Sequence, residues 1–168
     1  MTPLVSIIMG STSDLPVMEK AARQLDELAI PFEILALSAH RTPDEEAEFA
    51  RGAEERGVRV IIAGAGMGAH LCGVIASMTP LPVIGVPIKA TLDGMDALLA
   101  IVQMPPGIPV ATVGINGAQN AALLAAQMLS LGDADLMKRL KAFKEGLKEK
   151  VVRANADLKE VKYSFKTN

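Results

Sequence analysis

The chain alternates short apolar runs with longer stretches in which apolar residues return every three or four positions. Residues 4–9 are uncharged, rich in Val and Ile, and stop at Gly10, which predicts a strand feeding a turn. Val17, Ala21, Leu25 and Leu28 then recur at helical spacing until Pro31 ends the unit. Residues 32–37 predict a second, buried strand, and Ala47, Ala50 and Ala53 a second helix closed by Gly57. The same reading predicts strands over 58–63, 83–86 and 110–113. It predicts helices over 71–77 and 94–102, and one that opens at 116–119 and runs to about 131. Strands alternating with helices mean a parallel sheet covered on both faces. With right-handed crossovers the expected fold is α/β, a three-layer αβα sandwich: a doubly wound, flavodoxin-like sheet followed by a C-terminal helix and tail.

Two stretches, 60–88 and 97–132, carry no charge and each exceeds the ~20 residues that span a bilayer. Pro and Gly punctuate both, which breaks a membrane helix into strands and turns and fits buried parallel strands instead. The helix over 118–131 is apolar nearly all round, so it is either central to the monomer or packed on another subunit. Leu136, Leu140, Phe143, Leu147 and Val151 form a stripe on a last helix whose other face is lysine-rich. Residues 155–168 read as a polar tail in which Val161, Tyr163 and Phe165 alternate, as in an edge strand or a docking arm. No repeat or long linker divides the chain, so one domain over 1–168 is expected, with a core of about 1–132 and an appended helix and tail of about 133–168.

Composition sharpens this picture. Half of the 168 residues are hydrophobic but only 3% are aromatic, so the core must be built from Ala, Val, Ile, Leu and Met. The net charge of −2 gives no basic bias toward nucleic acid; the ten Lys/Arg against six Asp/Glu in residues 133–168 alternate in sign like a solvated helix face. A single cysteine, Cys72, forms no internal disulfide and fits a reducing cytoplasm; in its apolar run it reads as a packing residue. Met1-Thr2-Pro3 runs straight into a strand, with no signal peptide pattern.

The candidate chemistry lies in three loops at carboxyl ends of predicted strands: 10–14, 38–43 and 64–70. In a doubly wound sheet such loops converge on one crevice. Ser38-Ala39-His40-Arg41-Thr42-Pro43 puts one of only two histidines beside an anion-binding arginine, a candidate general acid/base next to an anionic substrate. A helix start, with Thr42 as N-cap and Pro43 at the first position, explains those two residues but not Ser38, His40 or Arg41. Gly10-Ser11-Thr12-Ser13-Asp14 matches neither a dinucleotide fingerprint nor a Walker loop, yet three hydroxyls and a carboxylate exceed what one helix cap requires. A monophosphate with an adjacent diol would use them: Ser11 and Ser13 on phosphate, Asp14 on ribose hydroxyls, with Arg41 completing the phosphate site. Gly64, Gly66 and Gly68 would let the backbone approach a planar ligand, and His70 either faces that ligand or caps the next helix. No His/Asp/Glu cluster has ligand spacing, so no catalytic metal is expected.

Taken together, residues 9–14, 38–43 and 63–66, with Ala69-His70-Leu71, Ile101-Val102-Gln103-Met104-Pro105 and residues 120–127, closely resemble the PurE family of purine biosynthesis. The resemblance covers nearly the whole chain up to the last helix. Arg41 after His40, and the second histidine in the glycine loop, resemble the class of 5-(carboxyamino)imidazole ribonucleotide mutases rather than the class that carboxylates aminoimidazole ribonucleotide with free carbon dioxide. The resemblance implies a mutase that moves a carboxylate from the exocyclic nitrogen to the ring carbon, with His40 as general acid/base. It implies a substrate site of Ser11, Ser13, Asp14, Ser38, Ala39, Arg41, Gly66, His70 and Leu71, in which His70 and the glycine loop hold the carboxylate or trapped carbon dioxide. It implies no cofactor, no metal, and a homo-octamer with active sites at subunit contacts. A non-catalytic nucleotide-binding module would need only the phosphate loop.

Overall fold

A computed structural model describes residues 1–168. Its strands are β1 (Val5–Met9), β2 (Phe32–Ala36), β3 (Val60–Gly66), β4 (Val83–Ile88) and β5 (Ala111–Thr112). Between and after them lie α1 (Leu15–Glu27), α2 (Pro43–Gly52), α3 (Leu71–Met78), α4 (Met95–Val102), α5 (Ala118–Ser130) and α6 (Ala134–Lys159). The strands form one parallel sheet in the order β2-β1-β3-β4-β5, the flavodoxin-like order of a doubly wound sandwich. The order reverses between β1 and β3, and the crevice at such a switch point is where ligands bind.

Side-chain alternation sends each central strand into two cores. Val5, Ile7 and Met9 of β1 face Met18, Leu25, and the alanines of α5, with Leu136 and Leu140 of α6 closing that layer. Ile8, Ile61 and Ala63 face Phe49, Cys72, Ile75 and Ile101 of α2, α3 and α4 on the other side. This double burial is why β1, β3 and β4 read as unbroken apolar runs. A Cβ at Gly64 would lie 2.3 Å from Met18 Sδ, and one at Gly85 would lie 2.4 Å from Ile101 Cγ2, so both glycines exist to let helices approach the sheet.

Several expectations are corrected. The strand over 32–37 is not buried: β2 is an edge strand, and Ile34, Leu35 and Ala36 are exposed. The third strand starts two residues later than expected and continues through Gly66, so Gly64 packs against α1 instead of lining a ligand loop. The monomer itself covers α5, since small Ala118, Ala121, Ala122, Ala125 and Ala126 nest fully buried against the sheet between α1 and α6. Leu123, Leu124, Met128 and Leu129 of the same helix stay only partly buried. The tail is not a strand: α6 continues to Lys159, and Tyr163 and Phe165 beyond it stand exposed. No helix is long and apolar enough to cross a membrane.

Candidate active site

The loop after β1 begins with an extended Ser11 whose hydroxyl accepts from Ser13 N at 3.3 Å and from Ser13 Oγ at 3.0 Å, capping a single 3-10 turn over Thr12–Asp14. Asp14 then stands at the N-cap position of α1, with Pro16 in its first turn, yet its carboxylate makes no capping bond. Burial raises the Asp14 carboxyl above its ordinary value, against the opposing pull of the Ser11 hydrogen bond and the Arg41 charge. A carboxylate spared from capping and partly desolvated is suited to accept from a ligand's hydroxyls.

The loop after β2 is braced by Thr42. Its hydroxyl accepts from Ser38 N at 2.9 Å and donates to Ser38 O at 3.3 Å, while Thr42 N also donates to Ser38 O at 2.9 Å. Thr42 occupies the N-cap position of α2 but makes no side-chain cap bond, so its side chain shapes this loop instead of the helix end. The tight loop turns His40 and Arg41 outward. Arg41 donates through Nη2 to Gly10 O at 2.6 Å and through Nε to Ser38 Oγ at 3.3 Å, which ties the loops after β1 and β2 together. A guanidinium fixed at two of its donors is pre-organised for an anion.

The loop after β3 passes through Met67, held in the left-handed region at φ 56°, and Gly68. His70 stands at the N-cap of α3 without capping it. Its Nδ1 lies 2.8 Å from His40 Nε2, with the two rings edge-on at 5.0 Å between centroids. A contact of this length needs one nitrogen to donate and the other to accept, so the pair shares a proton along one line. His70 thus faces the crevice and not its helix.

A cavity of about 490 Å³ opens at this edge of the sheet. Ser11, Ser13 and Asp14 form one wall, Ser38, Ala39, His40 and Arg41 the second, and Gly66, His70 and Leu71 the third. All ten candidate residues are thereby brought to one cavity. Residues 4–150 match the family model described as AIR carboxylase. The chain belongs to the AIR carboxylase family. It is 57% identical over 160 residues to the N5-carboxyaminoimidazole ribonucleotide mutase of Pyrococcus horikoshii, a match covering 95% of this chain and 90% of that one. It is 54% identical over 162 residues to the protein of the same name from Thermotoga maritima, covering 96% and 95%. The crystal structure of Treponema denticola PurE superposes with a TM-score of 0.85 at 31% identity, over 94% of this chain and 99% of that one.

In this AIR carboxylase family cavity, Met67 and Ala90 are lining residues that reading the sequence did not single out. Ala90 follows the carboxyl end of β4, so the rule that placed the other three loops would also have placed it. Met67 lay inside the glycine run; a side chain there, at a backbone conformation that favours glycine, was the available signal. Cys72 lies behind the cavity wall, where burial and the Glu46 charge push its thiol up to about 12, and it donates to Ala63 O at 3.2 Å. A thiol in that state is a packing group, not a nucleophile.

Proposed function

We propose that this chain is an isomerase, a mutase converting 5-(carboxyamino)imidazole ribonucleotide into 4-carboxy-5-aminoimidazole ribonucleotide. The observation that carries this reading is the His40–His70 pair, 2.8 Å apart, in one cavity with Ser11, Ser13 and Arg41. The 5′-phosphate lies on Ser11, Ser13 and Arg41, where charge-assisted bonds replace the contacts these groups now make to one another. Asp14 accepts from the ribose hydroxyls. This orientation directs the imidazole ring at His40.

The chemistry then needs one mobile proton. As the carbamate C–N bond breaks, its electron pair returns to the exocyclic nitrogen, which takes the proton His40 donates, and carbon dioxide is released within the cavity. The adjacent ring carbon attacks that carbon dioxide, forming the new C–C bond. His40, now neutral, removes the ring-carbon proton and restores aromaticity. The balance closes without a cofactor. Gly66, Gly68 and Ala65 leave little beside the ring but backbone and a methyl group, so the released molecule stays within reach of its acceptor and recapture is effectively unimolecular. His70 holds the migrating carboxylate and steadies the His40 proton.

The finer reading is a cytoplasmic homo-octamer of one-domain subunits, supported by the lone, unpaired cysteine and by the apolar side chains left exposed on α4 and α6, such as Leu99, Val102, Leu147 and Val151. The test is turnover of 5-(carboxyamino)imidazole ribonucleotide without added bicarbonate, with little labelled bicarbonate entering product. Heavy label incorporation, or turnover only with aminoimidazole ribonucleotide and carbon dioxide, assigns it to the carboxylases instead. Binding of the ribonucleotide without any turnover would make it a sensor module.

A further inference from the structure

Glu46 is the one charged residue that the fold buries completely. It lies in the opening turns of α2, where its N–H donates to Thr42 O at 3.0 Å. Neither of its carboxyl oxygens meets a hydrogen-bond partner. Burying an ionised carboxylate without a partner is strongly unfavourable, so the observed packing is that of the neutral acid. Burial pushes this carboxyl up from its ordinary 4.5 to about 7. The group therefore changes charge within the range where a cell keeps its pH.

Its place gives that change a consequence. Glu46 follows His40 by six residues, and Cys72, whose thiol feels the Glu46 charge, follows His70 by two. The helices that carry them, α2 and α3, pack directly against each other. Glu46 thus sits in the seam beneath the two loops whose imidazoles meet at 2.8 Å. The surrounding groups offer no counter-ion. On α2 itself Asp44, Glu45, Glu48 and Arg51 are at or near the surface; α3 contributes only Cys72; β1 and β3 carry no titratable side chain. Glu33 of β2 is occupied by Ser6 at 2.6 Å and Arg56 at 3.1 Å. His40, Arg41 and His70 belong to the loops above the seam.

We propose that Glu46 is a positioning residue: as a neutral acid it lets α2 close on α3 and holds the two imidazoles in contact, and as a carboxylate it draws water into the seam and parts them. This rests on His40 being the acid/base of the proposed reaction.

The experiment uses the full-length protein and two variants, Glu46→Gln and the apolar Glu46→Met, which keeps similar length if the amide does not fold. Infrared difference spectra taken across neutral pH should show a carboxylic acid C=O band in the parent that Glu46→Gln lacks. In histidine-¹⁵N-labelled protein without substrate, the coupling across the His40–His70 hydrogen bond should fade in the parent as pH rises through the titration of Glu46, and persist in Glu46→Met. The ratio of kcat/KM for the variant over the parent should rise several-fold over the same interval, because histidine titrations common to both cancel. A flat ratio together with identical imidazole coupling in parent and variant overturns the proposal. The infrared and coupling measurements need no turnover, so a chain that lacks mutase activity would sink the proposed reaction while leaving this arrangement separately testable.

Discussion

His40 is the residue on which the proposed chemistry turns. His40→Asn keeps a hydrogen-bonding side chain but cannot cycle a proton, so kcat/KM should fall by ~10²–10⁴-fold while ribonucleotide binding, measured by titration, persists. Arg41→Ala should weaken the ribonucleotide by ~1.5–3 kcal/mol and leave the dephosphorylated nucleoside unchanged; equal losses for both would remove Arg41 from the phosphate. Glu46 carries a prediction about stability. Its folded carboxyl, at about 7, holds its proton more tightly than the ordinary 4.5 of an unfolded chain. The unfolded state thus ionises first, and the native state loses stability as pH rises from the lower value through the higher one, with no further change above. Glu46→Gln should therefore gain on the parent across that window, by at most about 3 kcal/mol at its upper end, in denaturant titrations run at several pH values. At this scale the sequence was legible where residue type and loop position agree, as for Ser11, Asp14, His40 and Arg41. The His40–His70 contact was not, because thirty residues separate the partners and only the pairing of β1 between β2 and β3 joins them. Glu46 was hidden for a different reason: inside Asp44-Glu45-Glu46 it looks like any acidic helix start.

Among the elements, the strands surrounded by uncharged sequence were the easiest to find, since a strand buried on both faces has no polar positions to confuse the pattern. Edge position was missed although a signal was present: β2 carries Glu33 where its neighbours β1 and β3 have no charge, but the run Ile34-Leu35-Ala36-Leu37 outweighed it, and the strand order exposes it. The length of α6 was missed because its apolar stripe ends near Val151, while the helix continues to Lys159 on residues such as Arg153, Ala154, Ala156 and Leu158 that favour helix without needing a partner. Gly64 was read as a ligand contact when it sets a helix-to-sheet distance, as Gly85, which was given no role, also does. That gives an ordering. Gly64→Ala meets the flexible end of Met18, which can swing aside, whereas Gly85→Ala meets the stiff, β-branched Ile101 and then Val110 at 3.1 Å. Both should destabilise by ~1–3 kcal/mol, Gly85→Ala the more, as read from chemical denaturation midpoints. The reverse order would mean that α1, not α4, is the rigid partner of the sheet.

The whole molecule leaves apolar side chains on the outer half of α6 and on α4 with nothing in one chain to cover them. Light scattering at micromolar concentration should report a large homo-oligomer, the octamer of the proposed reading; a monomer would refute it. One feature of the cavity then separates what a single chain supplies from what an assembly adds. Every residue lining it comes from positions 10–71 except Ala90. Beyond Ala90 the polypeptide covers the sheet and lines no part of the cavity within its own subunit, though the Asn116 side-chain oxygen accepts from Lys89 N at 3.0 Å and braces the Ala90 loop. A saturation library scored separately for soluble yield and for KM should therefore split along the chain, most positions past Ala90 moving yield alone. A position past Ala90 that shifts KM in well-folded protein, other than one that braces the Ala90 loop as Asn116 does, would be reaching the cavity of a neighbouring subunit, so a genetic map made in bulk would locate the intersubunit seam without imaging it.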